Sequence, residues 1–173
     1  MPEEPEKGKS TFLPPTSAEI VIANFISSIK EKNTENYKSC FLDEVGLDLR
    51  YIFIPSPDAL TRFPSVFNSW TIENERSAFF SLVIKMPIDK APELTLTNSK
   101  LDLMNDSALY SSDYFLKINH NLTNLPVNYA GTLQFLILRR SNGFWYIQRW
   151  LDSSPYNDTV GNSWSILKAL LVN

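Results

Sequence analysis

The sequence predicts an α+β domain in which helices gather on one side of an antiparallel sheet. Three observations predict it. Apolar residues recur at helical spacing in the first half, the period changes to two from Glu93 onward, and the four long runs that follow are separated only by short turns. Short turns join antiparallel neighbours, so these runs form a meander. With 173 residues and 43% hydrophobic side chains, the chain has apolar surface for one core and is too short for two comfortable domains.

The first helix is expected from about Ser17 to Lys32. In "TSAEIVIANFISSIKEKN", Thr16 and Glu19 have capping-box spacing, and Ile22, Phe25, Ile26 and Ile29 recur on one face. In "TENYKSCF", Thr34 offers a cap and Tyr37, Cys40 and Phe41 fall at i, i+3 and i+4, which predicts a short second helix packed on the first. "LDLRYIFIPSPDAL" alternates until Pro55 and Pro57 end it, so Leu49 to Ile54 reads as a short strand suited to a sheet edge. "NSWTIENERSAFFSLVIKMP" predicts a third helix. Ile72, Phe79, Phe80 and Val83 share its face, Glu73 and Glu75 bring acidic charge to its first turn, and Pro87 forbids continuation. Four strands follow in "ELTLTNSKLDLM", "ALYSSDYFLKINH", "YAGTLQFLILRR" and "GFWYIQRWLD". In "NSWSILKALL", Ser163 is a cap and Trp164, Leu167 and Leu171 share a face, giving a closing helix against the sheet.

Composition narrows the function. A net charge of −3 argues against nucleic acid, which calls for a basic stripe. No run approaches the roughly 18 apolar residues of a membrane span. The single cysteine, Cys40, cannot form an internal disulfide and reads as a small buried hydrophobe. Its catalytic use would need a base, and the only histidine, His120, lies in a separate strand-like region. One Cys and one His do not make a zinc site, so no metal and no cofactor is expected. Residues 1–15, "MPEEPEKGKSTFLPP", have the composition of a disordered tether, leaving 16–173 as a single domain. Such a start fits the spacer after a removed export or lipoprotein signal, with a lipid anchor upstream and a periplasmic or cell-surface location; a frayed cytoplasmic terminus is the alternative. Asn-x-Ser/Thr triplets at Asn105, Asn121 and Asn157 carry no weight in an Asn-rich chain.

The stretches "YKSCF…YIFIPSP", "SWTIENE" and "FWYIQRWLDSS…NSWSILKALL" resemble the nuclear transport factor 2-like superfamily over roughly Ser17 to Leu171. Within it they look most like domains of bacterial secreted proteins and lipoproteins of unassigned function. The resemblance implies a cystatin-like cone: a strongly curved antiparallel sheet wrapped around an N-terminal helical hairpin and a third helix, with a C-terminal helix. It also implies a cavity between the concave sheet face and the helices, and dimerisation through the outer sheet face in many members.

Enzymes of that superfamily, such as steroid isomerases, polyketide cyclases and epoxide hydrolases, place Asp, His, Tyr or Arg inside the cone, where low polarity shifts pKa values. Here the set is incomplete, and no catalytic residue is assigned. His120 sits beside the turn "NHNLTN" in a cap-like role, and Asp152 precedes "SSPYND", where backbone amides are its expected partners. Arg149 is expected to pair with Glu73 or Glu75 inside or at the rim of the cone. On the last strand, alternation sends Phe144, Tyr146, Gln148, Trp150 and Asp152 one way and Trp145, Ile147, Arg149 and Leu151 the other. Both sets are largely apolar, which reads as a strand covered on both faces. Trp70, Tyr110, Tyr114, Arg149 and Trp150 are the candidates for lining a ligand pocket. Three functions stay open: a non-catalytic exported domain binding a small apolar or amphipathic ligand or a protein partner; an isomerase, cyclase or hydrolase using Asp113 or Asp152 as base; or a structural module that forms homodimers through its outer sheet face, its cone filled by its own side chains.

Overall fold

Short polar side chains in extended backbone start the first two helices, each one position away from the expected cap. In the computed structural model, which describes residues 10–43, 49–155 and 162–172, α1 spans Ala18–Lys30 and α2 spans Thr34–Ser39. Ser17 rather than Thr16 caps α1 by accepting from the Ile20 amide, and Asn33 rather than Thr34 caps α2 by accepting from the Asn36 amide. In both, the side-chain oxygen reaches an amide three residues on that has no intrahelical partner. The buried face of α1 carries Val21, Phe25 and Ile29. Residues 10–15, assigned by composition to the tether, run along this helix. Asn24 accepts from the Leu13 amide at 2.9 Å and donates to the Leu13 carbonyl at 2.8 Å, and the Trp145 amide donates to the Pro15 carbonyl. Residues 1–9 of the expected tether lie outside the described residues.

The sheet contains β1 (Ile52–Ile54), β2 (Glu93–Leu103), β3 (Ser107–Lys117), β4 (Asn128–Arg139) and β5 (Trp145–Ser153), in the order β1-β5-β4-β3-β2. The last four form the expected antiparallel meander. The short strand lies at the edge, as its prolines suggest, but it is only three residues long and pairs parallel to β5, with Ile52 opposite Arg149. The sheet is therefore mixed. A parallel pair needs a long crossover, and everything between β1 and β5 supplies it.

Between β1 and the long strands stand α3 (Pro57–Arg62) and α4 (Ile72–Lys85). Alternation alone does not reveal α3, because Pro57 is a helix-starting residue as well as a strand breaker. The buried face of α4 carries Glu75, Ala78, Phe79 and Leu82, while Phe80 is 48% exposed. That i, i+3, i+4, i+7 set corrects the expected face, and it includes an acid where residue-type counting looks for an apolar side chain.

The closing helix α5 (Trp164–Val172) departs most from expectation. It is buried on nearly every side: Ser165, Ile166, Lys168 and Ala169 are covered as well as Trp164, Leu167 and Leu171. It packs against α4, α3 and β4 and so enters the cone, where a helix laid flat on a sheet would keep one face in water. Its Trp164 stands edge-on to Trp150 at 4.8 Å between ring centroids. Trp150, fully buried, also meets Phe25, Phe53 and Phe135 edge-on at 5.3–5.6 Å. Aromatic packing of this kind fills the centre of the cone.

A bulge in β5 corrects the reading of its two apolar sets. Leu136 pairs with Arg149 and Ile137 with Ile147, which leaves Gln148 as an extra residue. Alternation therefore changes phase in mid-strand. Trp145 and Ile147 face inward before the bulge, Trp150 and Asp152 face inward after it, and Tyr146, Arg149 and Leu151 alternate with them as the less buried set. Gln148 is buried at the bulge and donates to the Arg50 carbonyl at 2.9 Å. The strand has one buried face, read in two phases.

Candidate functional site

Two carboxylates reach the interior, one from a helix and one from a strand. Glu75 sits one turn into α4 on its inward face and is 1% exposed. Its Oε1 accepts from the Tyr37 hydroxyl at 2.7 Å, and its Oε2 accepts from the Tyr51 hydroxyl at 3.0 Å and the Trp70 indole N–H at 2.9 Å. Lys168 of α5, 2% exposed, brings its ammonium to both oxygens at 2.8 and 2.9 Å. The same Nζ lies 3.6 Å from the Phe53 ring centroid and 3.4 Å from that of Trp150. The ammonium is thus held by a carboxylate at one side and by ring faces around it. Burial pulls the Lys168 ammonium down to about 8, against the attraction of Glu75. Burial and the nearby negative charge push the Tyr37 and Tyr51 hydroxyls well above the ordinary tyrosine range, so both remain donors.

The second network centres on Asp152, also 1% exposed. Its Oδ1 accepts from the Tyr114 hydroxyl at 2.7 Å, and its Oδ2 accepts from the amide and hydroxyl of Ser165 at the start of α5. Tyr114 in turn accepts from the Trp164 amide at 2.7 Å. Burial raises Asp152 above the usual carboxylate range, and the hydrogen bonds from Ser165 and Tyr114 oppose that rise. Its partners were expected in the chain just after it. They come instead from α5, because the bulge turns Asp152 inward.

Architecture identifies the fold that carries these networks. A nuclear transport factor 2-like superfamily protein from Salmonella enterica serovar Typhimurium superposes with a TM-score of 0.58 at 15% identity, covering 82% of this chain and 90% of that one. The chain has the nuclear transport factor 2-like fold. A candidate dehydratase of the nuclear transport factor 2-like family from Streptomyces avermitilis gives 0.56 at 10% identity, over 80% of this chain and 94% of that one. A candidate calcium/calmodulin-dependent protein kinase type II association domain from Thiobacillus denitrificans gives 0.51 at 10% identity, over the same shares. No protein-family model and no curated protein matches the sequence. The likeness is one of fold.

Within the nuclear transport factor 2-like cone the sequence candidates separate. Trp70 and Trp150 meet at the Glu75 network, where Trp70 donates to the carboxylate and Trp150 offers its ring to Lys168. Tyr114 belongs to the Asp152 network. Tyr110 faces inward elsewhere and donates to Ser99 at the β2 bulge. Arg149 lies on the outer phase of β5, which corrects its expected ion pair: Glu75 pairs with Lys168, and Glu73 pairs with Lys38 at 2.7 Å. Asp113 has the outer phase of β3 and accepts from Thr132 and Asn98. His120 accepts from the Leu122 amide through Nδ1, the turn role its context implies. Cys40 is buried and its thiol is pushed up to about 12, which leaves it unreactive in the fold.

Sequence reasoning passed over Glu75, Lys168, Tyr37 and Tyr51 as a group. The available signal was a charge set in register with each run of apolar residues, Glu75 in line with Ala78, Phe79 and Leu82, and Lys168 in the middle of "WSILKALL". Buried charges come in pairs, so two such runs point to each other. A surface cleft of about 570 Å³ is lined by Phe12, Lys38, Phe41, Phe144 and Tyr146 among others, and Phe41 separates it from Tyr37 and Tyr51 of the Glu75 network by one layer of ring packing.

Proposed function

We propose that this chain is a non-catalytic nuclear transport factor 2-like module that works through the outer face of its sheet, with a second copy of itself as partner. One observation carries the reading: both buried carboxylates are engaged by groups of this chain, Glu75 by four groups that fill its acceptor positions and Asp152 by three hydrogen bonds. A general base must have a free lone pair within hydrogen-bond reach of substrate. Glu75 has none left, and the one remaining on Asp152 Oδ1 lies in a packed interior where Asp152 is 1% exposed, which disfavours the dehydratase-like chemistry suggested by the Streptomyces relative.

The outer face supports the partner. Register places Ile52, Arg149, Leu136 and Leu109 in one row and Ile54, Leu151 and Gln134 in the next. Ile52 and Ile54 are 46% and 38% exposed, and Leu109, Leu136 and Leu151 are half-buried. Adjacent apolar side chains on an open sheet face favour association. The Thiobacillus relative is described as an association domain, which fits the same use of the fold.

Sedimentation equilibrium tests the proposal. A dimer is expected at micromolar concentration, with Leu136→Glu converting it to a folded monomer. A monomer up to about 100 µM would count against it, since stable dimers of standard interface size are far tighter than that. Dehydration or isomerisation of a cyclic substrate, lost in Asp152→Asn, would favour the enzyme reading instead.

A further inference from the structure

We infer that the cage around Glu75 is a binding site for primary alkylammonium groups, and that α5 occupies it as a tethered ligand through Lys168. This concerns the interior alone and does not depend on the partner reading.

The site and its occupant come from separable parts of the chain. The carboxylate is on α4, Tyr37 is on α2, Tyr51 and Phe53 belong to the approach to β1 and to β1 itself, Trp70 precedes α4, and Trp150 is on β5. Only the cation comes from α5. Without Lys168, Glu75 would still accept from Tyr37, Tyr51 and Trp70. Those three donors hold the carboxylate in position and orientation, as a prepared anion should be held. The Phe53 and Trp150 rings, with centroids 3.6 and 3.4 Å from Nζ, add the electrostatic attraction of their faces.

The geometry also selects the ligand class. The ammonium contacts both carboxylate oxygens, at 2.8 and 2.9 Å, which takes at least two N–H donors on one nitrogen. A quaternary ammonium has none. A neutral alcohol has one donor and no charge for the rings. The arm of Lys168 crosses the apolar interior as four methylenes, so truncation at Cβ leaves a slot matched to an alkylamine of about three to four carbons.

The test is chemical replacement in the full chain. Lys168→Ala is titrated with n-butylammonium chloride while thermal unfolding is followed, with n-butanol and tetramethylammonium chloride at equal concentration as controls. A saturable rise in Tm of about 5 °C or more with butylammonium alone is expected, because a ligand that binds only the folded state stabilises it. Wild type, with its site occupied, should not respond; nor should Lys168→Met, whose side chain fills the slot, or Lys168→Ala/Glu75→Gln, which lacks the anion. If Lys168→Ala is unfolded alone, return of near-UV ellipticity with butylammonium gives the same readout, and Lys168→Ser, which empties the same slot, repeats it. Absence of a response in both truncated variants overturns the inference. So does a response of equal size in wild type, in Lys168→Met or with butanol.

Discussion

Lys168→Met should lower stability by about 3–5 kcal/mol in urea denaturation, because it leaves Glu75 as a buried carboxylate without its cation. Methionine keeps most of the apolar arm, so the loss reports the charge more than the packing. Glu75→Gln/Lys168→Met should recover a large part of it. With its carbonyl oxygen in the place of Oε2, glutamine still accepts from Tyr51 and Trp70, its amide donates to the Tyr37 hydroxyl oxygen, and no unpaired charge remains. A coupling energy of at least about 2 kcal/mol between the two sites is the expected result of the cycle. Independent, additive effects would mean that the two side chains do not meet.

Gly131→Ala should cost about 3 kcal/mol, the upper part of the range for overpacked interiors. Gly131 lies on β4, and a Cβ added there would stand 2.2 Å from the Ser153 carbonyl oxygen and 2.7 Å from the Tyr114 hydroxyl oxygen. The first obstacle is the backbone of a paired strand and the second belongs to the Asp152 network, so neither can yield cheaply. Gly143 makes the contrast. It meets nothing within 4 Å, but its φ of +84° means that Gly143→Ala should cost only about 1 kcal/mol, from backbone strain. Equilibrium unfolding of the two variants side by side reads the difference.

Much of the fold is legible in the sequence because periodicity reports which faces are covered. The amphipathic spacing in "AEIVIANFISSIK" and the long period-two runs after Glu93 become α1 and β2 to β5. What periodicity cannot report is a change of phase. One extra residue at Gln148 turns Trp150 and Asp152 inward, and a single bulge thereby decides which acid enters the cone. The second illegible feature is the place of α5. "WSILKALL" reads as a helix from its spacing, yet only tertiary contacts show that its serine and its lysine are there to meet Asp152 and Glu75. Arg149 illustrates the converse: its position on the aromatic strand suggests a site, and the register sends it to the outer face. Among the pocket candidates, Trp70, Tyr114 and Trp150 do reach buried polar networks, but as parts of a filled interior.

Helix α5 closes the cone, with Lys168 buried against Glu75. Its ammonium has a folded-state pKa of about 8, below the ordinary 10.5, through burial. The unfolded chain binds the extra proton between those values, so this group makes stability rise with pH across that window, by about 1 kcal/mol per unit at most. Glu75, Asp152 and the Tyr37 and Tyr51 hydroxyls are the titratable groups around it, and comparison with Lys168→Met separates its part from theirs. The most direct measurement is an NMR titration of the Lys168 side chain in the folded protein. A midpoint near 8, with ζ-protons that exchange slowly with water, is what the closed cone predicts. A midpoint at the ordinary lysine value with rapid exchange would place Lys168 in solvent and contradict it.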